Sequence, residues 1–228
     1  MKKLFALVIA TLFALSAPAL AAGNATIMQE VFYVRPYSTY YAGDVFAELK
    51  NTGDKPVKFN GGMIELFDEG GNSIESNNIY SCYPPILGPG EMGYIFKTTT
   101  VKEAKEKSYI DDYSLTVTSK GENKKEIKYL SSDGDYRLVE KSYKDELVIA
   151  ASIQNDTDAV LFNVTTVIAL YDSNDKLIYA DYISPSNIGV PPGQSLFLHK
   201  RVESKILDLW VENGITPVRI ATIAYSEI

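Results

Sequence analysis

The chain has 228 residues, 46% of them hydrophobic, with 29 acidic and 22 basic side chains and one each of Cys, His and Trp. That composition is globular, and the net charge of −7 argues against a nucleic-acid partner, because phosphate binding draws on clustered Lys and Arg. One Cys excludes an intrachain disulfide framework and a multi-cysteine zinc site, and one His leaves a single imidazole for catalysis or metal ligation.

Residues 1–22 are predicted to be a secretory signal peptide. Lys2 and Lys3 form its positive start, Leu4 to Leu15 is an apolar run too short to span a bilayer, and Ala19, Ala21 and Ala22 supply small residues for cleavage after Ala21 or Ala22. No Cys follows the apolar run, so no lipid anchor is expected there. Without Lys2 and Lys3 the net charge becomes −9. No later apolar run reaches the 18 residues of a spanning helix, so no integral membrane anchor is expected. The mature protein is expected to be soluble and extracytoplasmic.

Beyond the leader the chain resembles itself at a period of about 104 residues. Val45-Phe-Ala-Glu-Leu-Lys-Asn51 aligns with Ile149-Ala-Ala-Ser-Ile-Gln-Asn155, and Met63-Ile-Glu-Leu-Phe-Asp68 with Val167-Ile-Ala-Leu-Tyr-Asp172. Gly88-Pro-Gly90 follows in one copy and Pro191-Pro-Gly193 in the other, one residue out of step. Two domains are therefore predicted, residues 24–125 and 130–228, each large enough for its own core.

Each copy reads as a β-sandwich. Val45, Ala47 and Leu49 alternate with Phe46, Glu48 and Lys50, the period-two pattern of a half-buried strand, and Ile149, Ala151 and Ile153 repeat it. Turns rich in Asn and Asp follow at Asn51–Asp54 and Asn155–Asp158, where the side chains can bond nearby backbone amides. The next strands end at Asp68 and Asp172 in hairpin turns. Further strands are expected over Gly93–Thr100, Tyr113–Thr118, Ser195–Arg201 and Val218–Tyr225. Short strands between frequent turns favour an all-β sandwich over a βαβ fold. Short helical turns are expected over Val101–Lys107 and Glu203–Trp210, with Lys102–Lys107 a solvated helical face.

The run Ile168-Ala-Leu-Tyr-Asp172 through Pro192-Gly193, and its counterpart ending Leu66-Phe67-Asp68, resembles the bacterial FxLYD domain. The first copy departs from the pattern, with Phe67 for Tyr and Gly61-Gly62 where Thr165-Thr166 stand. The resemblance covers about the middle half of each copy. It implies tandem immunoglobulin-like modules on an extracytoplasmic bacterial protein, and no catalytic residue.

Residue by residue, the search for chemistry returns little. His199 lies in a strand with no nucleophile elbow to accompany it, and Phe96 takes its place in the first copy, so a structural or surface role is expected. Cys82 has no basic neighbour to activate it and is expected to be an inert, partly buried thiol; pairing with an outside partner is the alternative. Carboxylates are numerous, but their separation, which a glycosidase mechanism requires, is not readable. The acidic turns at Asp68-Glu69 and Asp172–Asp175 lack the twelve-residue EF-hand pattern and are expected to be turn formers, not calcium ligands. No Gly-rich phosphate loop is visible. No catalytic residue, metal or cofactor is expected.

Tyrosine is the compositional anomaly, at 16 residues. Tyr37, Tyr40 and Tyr41 cluster, as do Tyr80 and Tyr83, where the second copy has mainly Lys141, Lys144 and Asp145, and Ile183 and Ser186. These five tyrosines are candidate ligand-binding residues for sugar rings or peptides; edge-strand and interdomain packing is the plainer alternative. Three functions follow in order: a non-catalytic binding or structural protein of the bacterial cell envelope, contacting a protein or envelope component; a carbohydrate-binding module using those tyrosines; and a secreted carboxylate hydrolase.

Overall fold

The computed structural model describes residues 24–123, 127–140, 145–185 and 188–227; the expected signal peptide, Lys141, Lys144 and Ser186 lie outside them. In chain order the strands are β1 (Ala25–Tyr37), β2 (Tyr40–Asn51), β3 (Val57–Phe67), β4 (Ser73–Ile79), β5 (Ile86–Leu87), β6 (Met92–Val101) and β7 (Asp112–Gly121) in the first half. The second half holds β8 (Ile127–Val139), β9 (Glu146–Gln154), β10 (Thr165–Tyr171), β11 (Leu177–Ile183), β12 (Ser195–Arg201), helix α1 (Ser204–Glu212) and β13 (Arg219–Glu227). All strand pairings are antiparallel. The chain is all-β, as its patterning requires, with α1 the α-helix among the described residues.

In the first half β1–β2–β6 form one sheet, and β4–β3–β7 form another with β5 paired to β3. Between them lie Val45, Ala47, Leu49 and Ile95 from one sheet and Val57, Ile64, Leu66 and Ile79 from the other, all buried. In the second half β8–β9–β12 and β11–β10–β13 follow the same strand order. There β8 joins the two sheets, pairing with β13 over Ile127–Leu130 and with β9 from Ser131 onward.

Local chemistry recurs with this order. The buried Asn51 donates its side-chain amide to the carbonyls of Lys55 (2.8 Å) and Leu87 (2.9 Å) and accepts the Gly53 N–H (2.9 Å). Asn155 makes the same three bonds, to Ala159 (2.8 Å), Val190 (2.7 Å) and Thr157 (3.0 Å). A buried amide with all these groups paired ties a strand end to the Pro-Gly turn, whose glycine N–H returns to the same Asn carbonyl in both halves. The acidic turns are built as turn formers. Asp68 accepts from the Asn72 backbone at 2.8 Å, and Asp172 from Lys176 at 3.0 Å and Asn174 at 2.8 Å. These bonds hold both carboxyls below their usual range, led by the Asn72 side chain at Asp68 and the Lys176 backbone at Asp172.

One local expectation is corrected. Helix α1 matches the expected helical turn near Glu203–Trp210, but Val101–Lys107 is not helical. Val101 ends β6, Ala104 is buried and its carbonyl accepts the Tyr41 N–H at 2.9 Å, and a single 3-10 turn forms later, at Lys107–Tyr109. A backbone already committed to β2 cannot also close a helical ladder. Gly61, at φ 112, sits in a bulge of β3 opposite β7, and a Cβ on Gly62 would meet the Thr116 carbonyl at 2.5 Å. That accounts for glycines where the second half carries Thr165-Thr166.

Candidate functional site

The half-buried reading of β2 is overturned by the packing of the two halves. The face carrying Asp44, Phe46 and Glu48 is buried as deeply as the core face, because β11 and α1 lie across β1–β2–β6. Phe46 packs against Tyr33 (ring centroids 6.2 Å apart) and Tyr179 (5.1 Å), and Tyr179 meets Trp210 edge-on. Tyr83, Phe96 and Tyr182 stack as a triple, with Tyr83 and Tyr182 4.6 Å apart. These contacts merge first-half aromatics into the core of the second half.

Polar groups within this joint are matched to it. Tyr33 donates to the Ile178 carbonyl (3.1 Å), and the Gln29 amide accepts the Leu177 N–H (2.8 Å) and donates to the Asp175 carbonyl (3.2 Å). Glu48, buried, accepts from the Tyr171 hydroxyl, which is itself 2.7 Å from the Tyr94 hydroxyl. Arg219 lies 3.6 Å above the Tyr171 ring and is held by Asp175. Burial pushes the hydroxyls of Tyr33 and Tyr94 up to about 12 and raises that of Tyr171 further.

Between the halves opens a cleft of about 260 Å³. Arg35 on β1, buried, pairs with the buried Asp44 on β2 and reaches Glu203, before α1, at 3.1 Å. Across the cleft Lys200 pairs with Asp181 and donates to the Tyr182 carbonyl at 3.0 Å. Each cation is thus answered by a carboxylate, which a buried charge requires. The arrangement clamps the halves. Sequence reasoning missed all five residues, because no spacing rule marks the Arg35–Asp44 or Lys200–Asp181 pair and Glu203 meets Arg35 only through docking of the halves.

The five candidate tyrosines do not form one surface. Tyr37 and Tyr40 close the β1–β2 hairpin, with Ser38 at φ 59 in its two-residue turn. Their rings are 5.6 Å apart, with the Arg35 guanidinium 5.4 Å and the Lys205 ammonium 6.0 Å from the Tyr37 ring. Tyr41 points to the opposite face and packs against the first-half core. Tyr80 is 81% exposed, and its hydroxyl accepts from the Asn78 side chain at 3.2 Å. Tyr83, opposite Tyr94 at the far end of β6, belongs to the aromatic triple. Tyr41 pairs with Val101 on that strand, so the two clusters stand about 23 Å apart at 3.3 Å per residue.

Cys82 is more deeply buried than expected, and burial pushes its thiol up to about 12, which leaves no thiolate nucleophile near neutrality. His199 is on the exposed face of β12. Among the described residues no group of three or more His, Cys, Asp and Glu is placed to hold a metal ion, and no helix is long and apolar enough to cross a membrane.

No protein-family model and no curated sequence matches the chain. Among solved structures it is similar to the crystal structure of red sea bream transglutaminase, at 10% identity over 87% of this chain and 29% of that one, with a TM-score of 0.24. It is also similar to the C-terminal globular domain of an oligosaccharyltransferase from Pyrococcus abyssi, at 9% identity over 90% and 47% of the two chains, with a TM-score of 0.18. The chain therefore spans less than half the length of either.

Proposed function

We propose that the protein is a non-catalytic, extracytoplasmic protein of two tandem immunoglobulin-like modules, related to the FxLYD domain, that acts as a binding or structural component of the bacterial cell envelope. The observation that carries this reading is the recurrence of strand order and of the Asn51 and Asn155 networks in two units joined by a buried aromatic interface. A unit repeated and locked at one angle presents its outer surfaces at fixed separation, which suits a spacer or adaptor contacting a protein or an envelope component. Glu48, Tyr94 and Tyr171 bond one another and Tyr33 and Gln29 bond the backbone of the other half, a structural use of residues that elsewhere serve as acid, base or nucleophile.

The test is fractionation of the producing cell followed by capture on isolated envelope material. The expected result is an extracytoplasmic protein beginning at Ala22 or Gly23 and retained on the envelope fraction. A cytoplasmic protein that keeps Met1 would overturn the location, and release of reducing sugar from envelope polysaccharide would overturn the non-catalytic role.

One observation favours a second reading, a carbohydrate contact at the β1–β2 hairpin. Tyr37 and Tyr40 are a paired, partly exposed ring surface with cations beside it, a surface on which sugars stack. Replacing both with Ala should abolish glycan-array signals and leave the melting temperature within about 2 °C; a large drop in melting temperature would make the pair a packing element instead.

A further inference from the structure

The sequence holds two Asn-Gly pairs, Asn60-Gly61 within β3 and Asn213-Gly214 just after α1. In this dipeptide the backbone nitrogen most readily attacks the preceding side-chain amide, because glycine has no Cβ to shield it. The fold treats the two pairs differently. At Asn213 both reacting ends are engaged. Its side-chain amide donates to the Leu209 carbonyl at 2.7 Å, and the Gly214 N–H, on the nitrogen that would attack, donates to the Val211 carbonyl at 3.3 Å. Asn213 caps the helix and Gly214, at φ 64, turns the chain away from it.

Asn60 is the extra residue of the β3 bulge. Phe59 pairs with Ser119 and Gly61 with Thr118, which leaves Asn60 without a partner on β7. The pairing of β3 with β5 stops at Lys58 and that with β4 starts at Gly62, so neither reaches Asn60. The residue is exposed, and its side-chain amide has no hydrogen-bond partner among the described residues. Gly61 follows at φ 112, a conformation suited to glycine. A bulged residue outside the ladder keeps the side-chain freedom that closing a ring onto the next nitrogen requires.

We infer that Asn60-Gly61 is a site of spontaneous deamidation in the folded protein, and that its isoaspartyl product loosens β3 from β7. The Gly61 nitrogen bonds to Cγ of Asn60, its proton passing through water to the leaving nitrogen. The Cγ–Nδ2 bond breaks, ammonia departs, and a five-membered succinimide remains. Water then opens the ring. Attack at Cγ gives an ordinary aspartate, and attack at the backbone carbonyl gives an isoaspartate whose main chain runs through Cγ. The net change exchanges ammonia for water without oxidation or reduction, and adds one carboxylate to a chain of net charge −7. In the isoaspartate the backbone is longer by one carbon, and β3 has no slack beside it. A Cβ on Gly62 would meet the Thr116 carbonyl at 2.5 Å, and the Thr118 hydroxyl donates to the Gly61 carbonyl at 3.0 Å. A lengthened backbone at that point shifts the register of β3 against β7.

Incubation of the folded full chain in mildly alkaline buffer, followed by peptide mapping with mass spectrometry and an isoaspartate assay, tests it. Asn60 should convert at least tenfold faster than Asn213, mainly to isoaspartate. Asn60→Gln should abolish the first acidic form seen on isoelectric focusing, and Asn213→Gln should leave that form unchanged. The isolated isoaspartyl form should melt below the Asn60→Asp protein, which carries the same charge on an ordinary backbone. Asn60 intact in the folded chain but converted in urea, Asn213 keeping pace with it, or an isoaspartyl form that melts with Asn60→Asp would each overturn the inference.

Discussion

Strand β2 buries Val45, Ala47 and Leu49 on one side and Asp44, Phe46 and Glu48 on the other, whereas its counterpart β9 buries Leu147, Ile149, Ala151 and Ile153 on one side and leaves Ala150 in water. The inner faces are alike because each must fill a two-sheet core. The outer faces differ because only one is covered. Phe46, Glu48, Tyr94 and Phe96 in the first half stand where the second half carries Ala150, Ser152, Phe197 and His199. The joint thus needs large rings with matched hydroxyls, and the uncovered face carries small and charged groups.

The largest expected effect is alkaline undocking. Tyr33 and Tyr94 stand at about 12 in the fold against about 10 in the unfolded chain. A raised value means the folded state holds the proton longer, so this stability is fully present below pH 10 and is lost as pH rises from 10 to 12. Each group accounts for about 3 kcal/mol, and urea midpoints measured across that range should fall steeply. Tyr33→Phe with Tyr94→Phe should flatten the fall; an unchanged slope would mean the joint does not govern it.

Next come the rings themselves. Phe46→Ala should cost about 4 kcal/mol through the cavity it leaves in the joint, while Ala150→Gly, at the matching exposed position, should cost about 1 kcal/mol, the backbone penalty of glycine in a strand. Equal losses in chemical denaturation would erase the contrast between the faces. The buried amides should behave as a pair. Asn51→Ala and Asn155→Ala each remove three hydrogen bonds made by one buried amide, at about 3 kcal/mol apiece, and an inequality beyond about 1 kcal/mol would mean the two units are not energetically equivalent. The smallest contrast is Phe96→Ala, expected to lower stability by about 2 kcal/mol, against His199→Ala, expected to stay within about 0.5 kcal/mol.

Much of the fold was legible in local pattern. The alternation at Val45–Leu49 and Ile149–Ile153 located two core strands, the Asn-rich turns located their ends, and Asp68 and Asp172 located two hairpins. Each signal depends on residues within a few positions of one another. The Val101–Lys107 helix failed for the opposite reason, since a contact from Tyr41 claims the Ala104 carbonyl. For the same reason the five tyrosines do not share one face. Tyr40 and Tyr41 are neighbours in sequence but lie on opposite faces of β2, and Tyr83 is drawn away by Tyr182 from the other half.

By itself the amino-acid sequence determined the strand periodicity, the turn chemistry and the inner faces, because these follow from side-chain alternation and from short-range hydrogen bonds to the backbone. Only the tertiary structure decided which outer face is covered and that Glu203 reaches the buried Arg35–Asp44 pair across the cleft. Those outcomes depend on docking between segments more than a hundred residues apart, as the Glu48–Tyr171 contact at a separation of 123 residues illustrates. Alternation states that a residue points outward, and docking decides whether it meets water or another sheet.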